Sequence, residues 1–184
     1  MSGVRTPLAR VAAVEGLIAR VEARVVQVLM LVLLVVGVAQ VVIRESGQRS
    51  MGTDEVTSVT MAVLVFVGSG IVAYTAENIA IEVLDFLRKE SLERLFRLVG
   101  MVATALFAVV FGYYSWDLLT AVGWSQKTLQ LGIPLGVSLV AMVVGAVLML
   151  LHTVGNGLRL LLGEDRYHDP HRAALLVDVT EEVE

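Results

Sequence analysis

Four long apolar segments constrain this chain more than any other feature. They cover residues 25–43, 56–76, 98–116 and 131–154, and none of them contains an Asp, Glu, Lys or Arg. A transmembrane helix needs about 20 apolar residues to cross a hydrocarbon core of about 30 Å, and each segment meets that length. We therefore predict an all-α integral membrane protein with four transmembrane helices.

The composition agrees with a membrane protein and excludes several kinds of function. Charged residues make up 17% of the chain, whereas a soluble domain has about 25%. The chain has no cysteine, which excludes disulfides and cysteine metal sites. No basic run with interleaved aromatic residues suggests a nucleic-acid partner. No nucleophile elbow, phosphate loop, HExxH motif or carboxylate pair within a span is present, so we predict neither an enzyme nor a cofactor.

The absence of charge from the spans also bears on transport. Ionisable residues inside a membrane usually mark ion and proton pathways. A carrier that works alone would normally keep one there. The sequence therefore suggests a subunit that serves another protein.

The positions of Lys and Arg predict the topology. Of the 14 basic residues, four precede the first span, four lie between the second and third spans, and three follow the fourth. Only three lie in the two remaining loops. Because positive residues favour the cytoplasmic side, we predict that both termini and the middle loop are cytoplasmic. We divide the chain into a leader (1–24), a four-helix membrane domain (25–157) and a flexible tail (158–184).

Two segments outside the spans have amphipathic patterns. Residues 77–89 separate apolar from charged positions at helical spacing, which predicts an interfacial helix between the second and third spans. In the leader, apolar residues recur at intervals of three and four, at Val11, Val14, Leu17, Ile18 and Val21. The charged residues lie elsewhere on the helix, and they are Arg10, Glu15, Arg20 and Glu22. Each segment could be a membrane-surface helix, an extension of a span, or a strut that docks a larger partner.

Several polar and small residues in and near the spans have ordinary structural explanations. Asp54 and Glu55 fit the first turn of the second helix, which stabilises carboxylates, although a partner contact is the alternative. Pro134 fits the start of the fourth helix. His152 is expected to lie at the inner membrane interface rather than to act as a ligand. Small residues such as Gly145 allow helices to approach closely in lipid.

Four sequence elements resemble a known family. They are Asp54-Glu55, Val65-Phe66-Val67-Gly68, Glu77-Asn78-Ile79-Ala80-Ile81-Glu82-Val83-Leu84 and Lys127-Thr128-Leu129-Gln130-Leu131-Gly132-Ile133-Pro134. Their order and spacing over residues 20–160 resemble the small membrane subunit, or DctQ-like subunit, of tripartite ATP-independent periplasmic (TRAP) transporters. The chain departs from the family pattern at Thr53 (often aromatic), at Asn78 (usually histidine) and at Leu135 and Gly136, where a tryptophan is common.

The resemblance implies a function and partners. The family's small subunit widens the static scaffold of a large elevator-type membrane subunit, which binds sodium and an organic acid. A periplasmic substrate-binding protein delivers that acid. The resemblance thus implies a scaffold subunit in the bacterial inner membrane, in contact with the large subunit and with membrane lipid. The residues that it points to as a partner interface are Asp54, Glu55, Phe66, Gly68, Asn78, Ile79, Glu82, Pro134 and Gly145.

Two other functions remain open from the sequence. A small, self-contained four-helix multidrug exporter would need a membrane-embedded acidic residue, usually in its first span, and residues 25–43 contain none. A membrane assembly factor without a transport role is the second alternative.

Overall fold

The computed structural model describes residues 5–47, 52–75 and 90–161. This part of the chain folds into four α-helices and no β-strand. The helices are α1 (Arg5–Glu45), α2 (Thr53–Thr75), α3 (Glu90–Val122) and α4 (Gly136–Leu161). All four are long and apolar enough to cross a membrane. The predicted all-α class with four spans is confirmed, whereas the predicted interfacial helix at 77–89 and the part of the tail after residue 161 lie outside the described residues.

Helix α1 extends well beyond the first predicted span. It continues without a break through residue 24, and its candidate membrane span is Val14–Glu45. The described part of the leader is therefore an extension of the span. Its apolar side chains Val14, Leu17 and Val21 are exposed, while Glu15 and Glu22 are each only 3% exposed. The acidic side chains of this segment therefore point into the protein, whereas its apolar side chains and Arg20 are exposed.

Helix α4 begins later than the sequence predicted. The segment 131–135 belongs to the preceding loop, in which Lys127 and Pro134 form an isolated antiparallel bridge. The N–H of Val137 donates to the carbonyl of Pro134 at 3.1 Å. Pro134 thus lies just outside the first helical turn, where its missing N–H leaves no helical hydrogen bond unmade.

The helices pack as an open layer. Helices α2 and α4 form its centre, α1 packs mainly on α2, and α3 packs on α4. In the most apolar window of α4, 33% of the residues are buried, compared with 0% in that of α1. Gly52, just before α2, meets the loop 123–135 at one end of the layer, which we call the loop end. The opposite end, where α1 begins and α4 finishes, is the terminal end.

The centre of the layer depends on one close contact between α2 and α4. A Cβ atom on Gly145 would lie 2.7 Å from the carbonyl carbon of Phe66 and closer still to its oxygen. Only glycine allows the backbones to approach this closely. The ring of Phe66 also stacks on Phe111 of α3, with centroids 5.4 Å apart. The contact therefore joins α2, α3 and α4.

Candidate functional site

A lateral groove of about 510 Å³ runs along one face of the layer. Helices α2 and α4 contribute its floor. Val26 and Met30 of α1 lie on one side, and Met101 and Thr104 of α3 lie on the other. Gly68 also lines the groove, and a Cβ atom there would have only one neighbour within 4 Å, at 3.9 Å. The groove is a mostly apolar surface with room for a side chain at Gly68.

The loop end is held by a carboxylate that binds backbone amides. Glu55, in the first turn of α2, accepts hydrogen bonds from the N–H groups of Gln130 and Leu131 at 2.7 and 2.8 Å. The Gln130 side-chain oxygen in turn accepts from the N–H of Gly52. Gly52 has a φ of 85°, a conformation that glycine adopts readily. These bonds join the two loops, so Glu55 stabilises the fold of the chain as well as the start of its own helix.

A second polar contact at the loop end joins α1 to α2. The Gln40 amide donates to Thr57 Oγ1 at 3.0 Å and to Asp54 Oδ1 at 3.3 Å. Asp54 is exposed. Its outer face is available for other contacts.

The terminal end contains a buried cluster of charged groups, Glu15, Glu22, His152 and Arg159, which we call the ionic cluster. The His152 side chain is 0% exposed. Its Nδ1 lies 3.3 Å from Glu15 Oε1, and its Nε2 lies 3.0 Å from Glu22 Oε1. The Arg159 guanidinium donates to the other oxygen of Glu15. The cluster therefore joins α1 to α4 through side chains that sequence alone does not place together.

Neighbouring residues close the ionic cluster on the side of α2. The ring of Tyr74 contacts that of His152 edge-on, with centroids 5.1 Å apart. The Asn156 side chain donates to the carbonyl of Ala73 at 2.8 Å, which ties α4 to the last turn of α2. A Cβ atom on Gly70 would lie 2.6 Å from Glu22 Oε2, so this glycine leaves room for the carboxylate.

The ionic cluster lies toward one side of the membrane. His152 follows the first residue of α4 by 16 positions, which is roughly 24 Å along a helix. Since the hydrocarbon core is about 30 Å thick, His152 lies near the point where α4 leaves it. Among the residues that the structure describes, no group of three or more His, Cys, Asp or Glu side chains could hold a metal ion.

A family comparison decides what kind of protein this architecture belongs to. Residues 33–163 match the family model described as the DctQ component of tripartite ATP-independent periplasmic transporters. The chain belongs to the DctQ family. It is thus a small subunit of a TRAP transporter and a component of the inner membrane. A comparison with curated proteins finds no match.

The extent of the DctQ match separates the two sides of the ionic cluster. His152 and Arg159 lie within the matched residues, whereas Glu15 and Glu22 precede them. The whole loop-end network around Glu55 lies within the match. DctQ is a family of transporter components.

The residues predicted as a partner interface have different positions in this DctQ protein. Phe66 and Gly145 pack against each other inside the chain, and Glu55 binds the loop between α3 and α4. Gly68 lines the open groove, and Asp54 is exposed. Asn78, Ile79 and Glu82 lie outside the described residues, and Pro134 precedes α4. The interface assignment itself stays a prediction.

Sequence reasoning missed the ionic cluster. It placed His152 at the membrane interface and gave Glu15 and Glu22 no partner. The sequence nevertheless contains a pattern that could have indicated the cluster, because α1 and α4 carry polar residues at the same spacing. Glu15, Ala19 and Glu22 recur at i, i+4 and i+7 on α1, and His152, Asn156 and Arg159 repeat this spacing on α4. Such spacing places each set on one helix face.

Proposed function

We propose that this chain is a scaffold subunit that transports nothing by itself and supports a large elevator-type membrane subunit. That partner would carry out sodium-coupled uptake of an organic acid delivered by a periplasmic binding protein. The DctQ family supports the tripartite assembly. The open layer of helices is the observation on this chain that carries the scaffold role.

An open layer suits a scaffold for a geometric reason. Helices α1 and α3 each bury little of their surface within the chain, so both faces of the layer are free to meet lipid or another protein. In α2, α3 and α4 the Asp, Glu, Lys and Arg residues lie toward the helix ends, and in α1 residues 25–43 contain none. A static support needs such lipid-compatible surfaces and does not need an ion site.

The groove at Gly68 is the proposed contact surface for the large subunit. Association of helices in lipid rests on close packing of small residues and on hydrogen bonds, because lipid is as apolar as the helix surfaces. Gly68 and Ser69 supply small side chains on the floor of the groove, and Thr104 and Thr153 add hydroxyl groups. Gly145 is already used within the chain and so serves the interface only indirectly.

Co-purification from native membranes tests this proposal. A tagged wild-type chain should bring down one large polytopic protein. Replacing Gly68→Leu should reduce that recovery, because the larger side chain fills the groove without a clash inside the chain. The matched control is Gly37→Leu on α1, where a Cβ atom meets no neighbour within 4 Å.

Each result of this experiment has a defined meaning. Loss of the partner with Gly68→Leu and retention with Gly37→Leu supports the groove. Loss only with Gly37→Leu moves the interface to α1. Failure of the wild-type chain to recover any large membrane protein contradicts the scaffold proposal. That result would favour the alternative of a membrane assembly factor without a transport role.

A further inference from the structure

We propose that the ionic cluster is a binding site for a single proton, which holds the amino-terminal half of α1 against α4. The site consists of Glu15 and Glu22 from α1 and His152 and Arg159 from α4. Binding of the proton keeps this segment docked in the membrane layer, and its loss releases the segment. This proposal goes beyond the scaffold role and does not depend on it.

The first argument is the hydrogen-bond geometry at His152. Both ring nitrogens face carboxylate oxygens, at 3.3 Å for Glu15 and 3.0 Å for Glu22. A neutral imidazole has one N–H donor and one acceptor, whereas an imidazolium has two donors. With both carboxylates ionised, a neutral ring would place a lone pair against a carboxylate oxygen. Both hydrogen bonds of the ring are therefore made only when the site holds one proton more than a neutral imidazole and two carboxylates. This proton makes the imidazole a donor at both nitrogens.

The second argument is the charge of the buried site. Two carboxylates and one guanidinium have a net charge of minus one, and an added proton makes the site neutral. Glu15 and Glu22 are each 3% exposed and His152 is fully buried. An uncompensated charge at such a position is costly near the membrane core. Protonation thus favours the docked arrangement, and deprotonation favours exposure of the carboxylates to water.

The third argument is that little else attaches this part of α1 to α4. Helix α1 packs mainly on α2 and touches α4 at few positions. The exposed side of the segment carries apolar side chains, with Leu17 56% exposed and Val21 57% exposed, beside the exposed Arg20. Contacts of this face with lipid give no preference for one orientation against α4. The position of this segment of α1 along α4 is therefore set largely by the ionic cluster.

The groups that face His152 define what else could titrate. Glu15 and Glu22 face His152 from α1, and Tyr74 faces it from α2. On α4, Arg159 lies at the edge of the cluster, where it donates to Glu15. On α3, Arg97 lines the groove together with Thr153 and Asn156 of α4.

Electron spin resonance can measure docking directly in the full chain in lipid nanodiscs. The native chain has no cysteine, so labels can be attached at Leu17→Cys on α1 and Leu161→Cys on α4, both exposed positions. Between about pH 6 and about pH 10, we expect one short distance at low pH and a longer, broader distribution at high pH. A second pair, at Met61 and Val147 in α2 and α4, should report no change.

Two variants separate the proton from the packing. Glu22→Gln supplies an amide N–H to a neutral His152 and leaves the cluster neutral without the added proton. We expect it to stay docked over the whole pH range. His152→Gln removes the titrating group and leaves one negative charge, so the docked-to-undocked ratio should fall by about 100-fold or more even at low pH. Tyr74→Phe should keep the wild-type pH response.

Several outcomes of these measurements would contradict the proposal. An unchanged distance in the wild type across the pH range, or a wild-type pH response in Glu22→Gln, would exclude a proton site. Docking of His152→Gln at all pH values would show that the histidine is not needed. Disappearance of the response in Tyr74→Phe would assign the titration to the tyrosine instead. All readings come from distances within this chain, so they are independent of any transporter partner.

Discussion

The two ends of this helical layer are both tied by carboxylates, but in different surroundings. At the loop end, Glu55 accepts hydrogen bonds from backbone amides of a loop, where water is close. At the terminal end, Glu15 and Glu22 are buried against His152 and Arg159. A hydrogen bond that water can replace contributes little to stability, whereas a buried charge without its partner is strongly destabilising. The two ends should therefore respond very differently to loss of one group.

The largest effect is expected at the terminal end. Glu15→Leu leaves the partly buried Arg159 guanidinium and one nitrogen of the buried His152 without their carboxylate acceptor. We expect the free energy of unfolding to fall by about 3–5 kcal/mol, measured by denaturant titration in detergent. The control, Arg20→Gln, removes an exposed arginine that donates to the Gly16 carbonyl, and should change stability by less than about 0.5 kcal/mol. Equal losses of stability in the two variants would contradict the expectation that buried charged contacts contribute more than exposed ones.

The next effect concerns the centre that both ends share. Gly145→Ala forces a Cβ atom against the Phe66 backbone, so α2 and α4 must separate. We expect a loss of about 3 kcal/mol, seen as a lower unfolding midpoint. Gly68→Ala is the matched control, since its Cβ atom has space. If Gly145→Ala were as harmless as this control, the close contact would not hold the layer together.

A smaller effect is expected from the loop-end carboxylate. Glu55→Gln keeps only one acceptor oxygen, so one charge-assisted hydrogen bond becomes a weaker neutral one and the other is lost, which should cost about 1–2 kcal/mol. Hydrogen exchange should quicken at the amides of Gln130 and Leu131. Asp54→Asn is the control, because its neighbour Gln40 can still donate to the amide oxygen. Unchanged exchange in Glu55→Gln would mean that the loop is held by other contacts.

The smallest effect is expected for the contact between α1 and α2 at the loop end. Gln40→Leu removes the bonds to Thr57 and Asp54, and polar contacts between membrane helices contribute about 0.6 kcal/mol on average. Stability measured by the same titration should fall by that order. A loss larger than that of Glu55→Gln would reverse the ranking of the loop-end contacts.

The sequence predicted the features that depend on local pattern. Apolar length predicted the four spans, and Asp54 and Glu55 were correctly assigned to the first turn of α2. The small residues predicted close helix packing, which the structure finds at Gly145. These features need only the periodicity of one helix or the preference of a residue for a helix end.

The sequence could not predict which faces meet. For the leader, the amphipathic pattern left open a membrane-surface helix, an extension of the span or a docking strut. In the structure it extends α1, with Glu15 and Glu22 buried and Arg20 exposed. The pairing of Glu15 with Arg159 joins residues 144 positions apart. Likewise, Glu55 reaches a loop 75 residues away. Such contacts depend on the order of helices in the layer, which no single segment encodes.

Reconstitution tests the scaffold role most directly. Proteoliposomes containing this chain alone should show no gradient-driven uptake of organic acids. Addition of the co-purified large subunit and its periplasmic binding protein should produce uptake that depends on sodium. Saturable, gradient-dependent uptake by this chain alone would contradict the account, because it would require a transport pathway within a layer that we describe as a support.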